Sequence, residues 1–241
     1  MTRTVLLATA MALALTAGGA SAAQKPVPGV HGNAIGPAFH VARGAEILYN
    51  QNSTNSDAGA SENFTSGSNS NYDSAGADDF VVPKKQEWTI TEVDASGVYF
   101  NGNGTCDPYS SSCDYATSEN VIFYTDNNGV PGNAVKGGTF TGLTGTDDKG
   151  NFFISLGKKG MKLKSGHYWV SVVANMNYAN SDAEWGWEEN FMIYGYNAQW
   201  ENPKNGFGFG CTTWENVGDC VEYNGDFAFD LQGQSKKIKK K

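Results

Sequence analysis

The sequence predicts an all-β domain of antiparallel strands, and three observations carry that prediction. Apolar residues alternate in short runs: Phe152, Ile154 and Leu156; Tyr168, Val170 and Val172; Phe227, Phe229 and Leu231. A period of two is what a strand with one buried face requires. Strong turn chemistry separates such runs, as in Asp126-Asn127-Asn128-Gly129 followed by Val130-Pro131-Gly132. No stretch after the N-terminal segment keeps helical apolar spacing for three turns, and 30 glycines with 7 prolines oppose long helices. Around nine or ten short strands imply a sandwich or a barrel.

The elements follow in order. Met1-Thr2-Arg3, an apolar run from Val5 to Leu15 and small residues ending Ala20-Ser21-Ala22 form the signature of a secretory signal peptide over residues 1–22. The run is too short to cross a bilayer core of about 30 Å. The expected product is secreted, extracellular or periplasmic, without a transmembrane segment. Residues 23–45 are rich in Gly, Pro and Ala without periodicity and read as a flexible leader. Glu46 to Asn50 is the first strand of a β domain expected to span 46–233. Gln51 to Ser74, dominated by Asn, Ser, Asp and Gly, reads as a long loop that Phe64 pins to the body. Further strands are expected at Phe80–Val82, stopping at Pro83, then at Trp88–Ile90, Val98–Phe100 and Val121–Thr125. Residues 234–241 form a basic tail beyond the last strand.

The formal charge of −8 becomes −9 once Arg3 leaves with the signal peptide. Setting aside tail lysines 236, 237, 239, 240 and 241 leaves a body near −14. Such a body repels phosphate backbones, so nucleic acid is not an expected partner. Four cysteines follow the export signal, and an even count there implies disulfides. Of three connectivities the local one is preferred, Cys106 with Cys113 and Cys211 with Cys220, because each pair closes a short polar loop. Each is worth roughly 2.5 kcal/mol by loop-closure entropy. Neither pair has zinc-ligand spacing.

From Tyr72 onward an ordered series of motifs runs through the chain. It comprises Ala77-Asp78-Asp79-Phe80-Val81-Val82-Pro83, Trp88-Thr89-Ile90, Gly97-Val98-Tyr99-Phe100-Asn101-Gly102 and Gly129-Val130-Pro131-Gly132. It continues with Gly166-His167-Tyr168-Trp169-Val170-Ser171-Val172, Trp185-Gly186-Trp187, Asn202-Pro203, Gly206-Phe207-Gly208-Phe209-Gly210-Cys211 and Gly225-Asp226-Phe227-Ala228-Phe229-Asp230-Leu231. Over residues 46–233 the series resembles bacterial secreted β-sandwich domains of uncharacterised function, found alone or appended to other secreted proteins. The resemblance implies a jelly-roll-like sandwich and a non-catalytic extracellular role, and it carries over no catalytic residues.

The chemistry-bearing candidates are few. Only His31, His40 and His167 could serve a Ser-His-Asp set, and no Gly-x-Ser-x-Gly, metal-spaced histidine pair or nucleotide fingerprint occurs. Glu184, Glu188 and Glu189 could supply a glycosidase carboxylate pair, although adjacent strand residues point to opposite faces. The competing reading of residues 182–190 is a solvated loop. Asp73, Asp78 and Asp79 are candidate calcium ligands, since calcium takes oxygen donors; alternatively Asp79 satisfies backbone donors at a strand entrance. Asp147 and Asp148 form a second acidic pair, in a turn. Trp185, Trp187, Trp200 and Trp214 fall within 30 residues, with Tyr194 and Tyr196 among them. Exposed indoles would stack on sugar faces, with Glu188 and Asn190 fixing orientation, whereas buried ones would fill the core, as expected for Trp88 and Trp169. The functional expectation is a non-enzymatic module that binds polysaccharide or cell-envelope glycan. The alternatives are a structural or assembly protein of the cell surface and, behind it, a carboxylate-dependent glycan-active enzyme.

Overall fold

The computed structural model describes residues 25–30, 40–54, 57–65, 69–101, 116–178, 183–190, 192–221 and 225–239. The signal-peptide residues, His31 and the expected Cys106–Cys113 pair lie outside them. The chain forms β1 (Gly29–Val30), β2 (Glu46–Asn50), β3 (Ala58–Ala60), β4 (Glu62–Phe64), a 3-10 turn (Asn69–Tyr72) and β5 (Ala75–Ala95). It continues through β6 (Gly97–Phe100), β7 (Ser118–Asp126), β8 (Pro131–Leu143), β9 (Thr146–Asp148), β10 (Asn151–Ser155) and β11 (Met161–Met176). Last come β12 (Glu184–Asn190), β13 (Gln199–Glu201), β14 (Glu215–Asn216), a short helix α1 (Val217–Val221), β15 (Asp226–Phe227) and β16 (Phe229–Lys237).

The fold is all-β and, among the described residues, antiparallel throughout except where β4 runs parallel to β11. One sheet carries β1-β3-β12-β15 with β6 also on β12; the other runs β14-β13-β5-β11-β7-β8, with β16, β2, β10, β9 and β4 attached. Inward side chains of both sheets share one core. Phe152 of β10 stacks on Trp185 of β12 at 4.6 Å, and Trp187 stacks on Phe227 at 4.7 Å. Gly97 permits the first arrangement, because a Cβ there would stand 2.4 Å from the Trp185 ring.

Strand β5 is the spine, pairing with β13 at its start, with β11 along its middle and with β10 and β16 towards its end. The expectation that Pro83 ends a strand is corrected. Residues 83–86 bulge between the pairs Val82↔Gly166 and Glu87↔Lys164, so the proline takes no ladder position and the strand resumes. The loop expected over 51–74 contains β3 and β4, whose backbone groups find sheet partners despite a polar composition. Phe64 does pin it, packing edge-on against Tyr178 at 5.2 Å. Part of the expected leader adds a strand, Gly29 and Val30 pairing with β3. The lysine tail begins inside the sheet, Lys236 opposite Glu87 and Lys237 opposite Gln86.

Cys211 and Cys220 are bonded, tying the loop before β14 to α1 with a Cα separation of 6.0 Å. The bond closes a loop of nine residues' separation, so reducing it is expected to cost about 2–3 kcal/mol. Far-ultraviolet circular dichroism in dithiothreitol should keep its sheet signal while the urea midpoint falls. Loss of the sheet signal at once on reduction would contradict this.

Candidate functional site

Of the late aromatic cluster, Trp185, Trp187 and Trp200 are where a sugar cannot reach them, whereas Tyr194 and Tyr196 are exposed. Strand β12 is buried at all seven positions, because both its faces are covered. Trp185, Trp187 and Trp200 are fully buried, and each indole N–H donates to a backbone carbonyl: Gly150 at 2.9 Å, Ala228 at 2.9 Å and Ala60 at 2.7 Å. These are core tryptophans with their one polar atom satisfied. The stacking platform expected from Trp185 and Trp187 is therefore corrected, as is the solvated-loop alternative for this segment. Glu188 is likewise buried, and Asn190 donates to the Gln51 carbonyl at 2.9 Å. Trp214 alone of these tryptophans is partly accessible, edge-on to Tyr124 at 5.7 Å. Trp88 and Trp169 are core, as expected.

The acidic candidates separate. Asp78 accepts from Gln51 Nε2 at 2.7 Å and from the Phe227 amide at 2.6 Å. Asp79 points the other way, to His167 and to the Tyr196 amide at 2.8 Å. Asp73 accepts from the Phe64 amide at 2.9 Å and stands 3.8 Å from Lys204 Nζ. Adjacent residues of a strand face opposite ways, so Asp78 and Asp79 do not converge on one calcium with Asp73. His167 lies on β11, stacked on Tyr196 at 5.0 Å and hydrogen-bonded to Asp79.

What the interior holds instead is carboxylates. Glu62, Asp78, Asp79, Glu92, Asp94, Glu119, Glu184, Glu188, Glu189, Asp226 and Asp230 are all buried, while no Lys or Arg is buried among the described residues. Burial penalises the charged form and pushes three of these groups up, Glu189 to about 8, Asp226 to about 7 and Asp94 to about 9. Glu62 and Asp78 rise well above the ordinary range, from burial first and then from the neighbouring Glu184 and Asp226. Glu184, Glu188 and Glu189 do not reach solvent, so no accessible groove lets a glycosidic bond lie between them.

The cations are gathered elsewhere. Where β16, β5 and β11 lie side by side, the register places Lys164, Glu87 and Lys236 in one row and Lys162, Thr89 and Gln234 in the next. The turn before β11 and the middle of β8 add Lys158, Lys159 and Lys136 beside that face. Lys84, Lys85, Lys237 and Lys239 line its end. Ten of the chain's 17 basic residues thus line three shallow clefts, in which the only acid among the described residues is Glu87. Sequence reasoning missed this surface because the lysines come from four separated segments. The one available signal was the outward spacing of Lys162 and Lys164 against the inward Met161 and Leu163.

No helix among the described residues is long and apolar enough to cross a membrane. Compared with protein-family models, with curated proteins and with solved structures, the chain has no match.

Proposed function

We propose that this chain is a non-catalytic extracellular binding module that docks an anionic polymer, an acidic envelope polysaccharide, along its lysine-lined clefts. The observation that carries the reading is the segregation of charge. The body is strongly acidic, yet many of its acids are buried, and among the described residues Glu87 is the one acid in three clefts that ten cations line. Rows on neighbouring strands are about 4.8 Å apart and alternate residues along a strand about 6.6 Å. A rigid sheet therefore offers a fixed lattice of charges to a repeating anionic chain without ordering a loop. Shallow clefts suit a polymer better than a small molecule, which needs an enclosed pocket. The secreted address and the jelly-roll connection order belong to the same proposal; two antiparallel sheets on one core support the latter.

The surface-assembly reading draws on a different observation, the exposed apolar run Met192, Ile193, Tyr194 and Tyr196. It would show as concentration-dependent self-association in sedimentation. Against strand-to-strand assembly stands the edge strand β8, whose three register shifts against β7 and whose Lys136 blunt it.

The test is calorimetric titration with polygalacturonate, with neutral dextran and with duplex DNA at 20 and 200 mM salt. Binding of the acidic glycan alone is expected, weakening at least tenfold at high salt because exposed charges are screened. The double variant Lys162→Glu, Lys164→Glu alters exposed side chains only, so it should stay folded and lose at least about tenfold in affinity. Unchanged binding by that variant, equal binding of dextran or tighter binding of DNA would each overturn the reading.

A further inference from the structure

One polar cluster lies on the outer face of the long sheet, next to the lysine clefts: Glu92 lines a further cleft with Thr89, Lys158 and Gln234, which the lysine clefts share. Strands β5 and β16 pair so that Glu92 faces Gln232 and Asp94 faces Asp230. Residues two apart on a strand share a face, so the register alone brings three carboxylates and one amide together. Thr91, skipped in the pairing, is the bulge that turns Glu92 to the outer face. The segment before β2 then folds over this patch. His40 places Nδ1 2.9 Å from Glu92 Oε1 while its ring packs against Phe153 at 5.2 Å.

The cluster holds more acceptors than donors. Asp94 is 1% exposed, and its Oδ1 has no hydrogen-bond partner among the described residues. Gln232 Nε2 faces three oxygens at once: the His40 carbonyl at 2.6 Å, Asp94 Oδ2 at 2.8 Å and Asp230 Oδ1 at 3.0 Å. A side-chain amide has two hydrogens to give, so one oxygen is left over there as well. No Lys or Arg of the described residues pairs with Glu92, Asp94 or Asp230. One ligand atom from each of His40, Glu92 and Asp94 lies within 4.8 Å of the others. A leftover buried oxygen beside a second carboxylate and an imidazole is the donor set of a bound cation.

We propose that His40, Glu92 and Asp94 form a three-ligand site for a divalent transition-metal ion of the zinc class. One imidazole nitrogen with two carboxylate oxygens suits that class better than calcium, which takes six to eight oxygens. Gln232 is a positioning residue: it holds Asp94 Oδ2 and, through the Ala42 amide at 2.8 Å, the segment that carries His40. Two ligands sit on β5 and the third on the segment before β2. The ion therefore clips that segment to the sheet, and the half-exposed His40 is the way in.

The experiment uses the purified chain, stripped with chelator, and two readouts. Calorimetry with Zn²⁺ is expected to show one ion per chain, while Ca²⁺ binds at least tenfold more weakly. His40→Ala and Asp94→Asn should each weaken Zn²⁺ binding by at least about tenfold. Trypsin cleavage after the exposed Arg43 should slow at least fivefold with Zn²⁺ in the parent and not in His40→Ala. His40 is solvent-accessible, so its variant tests the site even if Asp94→Asn fails to fold. No Zn²⁺ binding below millimolar concentration would overturn the proposal. So would parent-like binding by folded His40→Ala, or binding without protection of Arg43.

Discussion

Trp187→Ala is expected to destabilise the protein by about 3–5 kcal/mol, the range for removing a large aromatic from a packed core. Trp187 is fully buried, stacks on Phe227 at 4.7 Å and meets Phe229 at 6.0 Å. Truncation removes these contacts and leaves a cavity under the β12–β15 pairing. It also strips the Ala228 carbonyl of its indole donor at 2.9 Å, although that carbonyl keeps the Ser96 amide at 3.0 Å. The loss is a large fraction of the roughly 5–15 kcal/mol that ordinarily separates folded from unfolded chains. Trp214→Ala supplies the contrast: partly accessible and touching Tyr124 by its edge, it should cost about 1 kcal/mol or less. Urea denaturation followed by circular dichroism gives both numbers. A Trp187→Ala midpoint within 1 kcal/mol of the parent would mean that the ring does not support the core.

These tryptophans also show what the sequence could and could not carry. Strand positions were legible wherever alternation was strong: β2 falls at Glu46–Asn50 as expected, and the runs around Phe152, Val170 and Phe229 lie in β10, β11 and β16. A period of two is a local property of the chain. Burial of β12 is not. Its flanking Asn and Gly suggested surface, but both its faces are covered by elements far away in sequence: β3 and β6 beside it, Phe152 and Phe227 against its rings. The same limit hid the lysine face and the His40 cluster, which exist only through cross-strand register. The Cys211–Cys220 bond was legible because its closure is local. Pro83 misled, since a proline forbids a ladder donor but not a bulge.

Stability is expected to fall as pH rises from 5 to 9, because the folded state holds protons on carboxyls that the unfolded chain would release. Glu189 carries the clearest case. It is fully buried, neither of its oxygens has a hydrogen-bond partner among the described residues, and burial, with Asp57 adding to it, pushes its carboxyl up to about 8. Asp226 follows at about 7, with its neighbour Asp78 and, next to Glu184, Glu62 raised well above the ordinary range. An unfolded carboxyl titrates near 4. For a group whose folded value is the higher one, the contribution is fully present below about 4 and is lost as pH climbs through the folded value. For Glu189 and Asp226 the window therefore runs from about pH 4 to about pH 8, with a slope opposite to that of a fold held by salt-bridged carboxylates. Each pH unit between the two values is worth about 1.4 kcal/mol. Allowing for water entering beside a newly charged group, a loss on the order of 5 kcal/mol by pH 9 is expected. At this chain length that corresponds to a fall of about 10–20 °C in Tm. Thermal scans at pH 5, 7 and 9, at constant ionic strength and with chelator present, measure it. Glu189→Gln cannot ionise, so its Tm should match the parent's at pH 5 and exceed it at pH 9. A parent profile that is flat or rises over this range would mean that these carboxylates stay charged inside the fold.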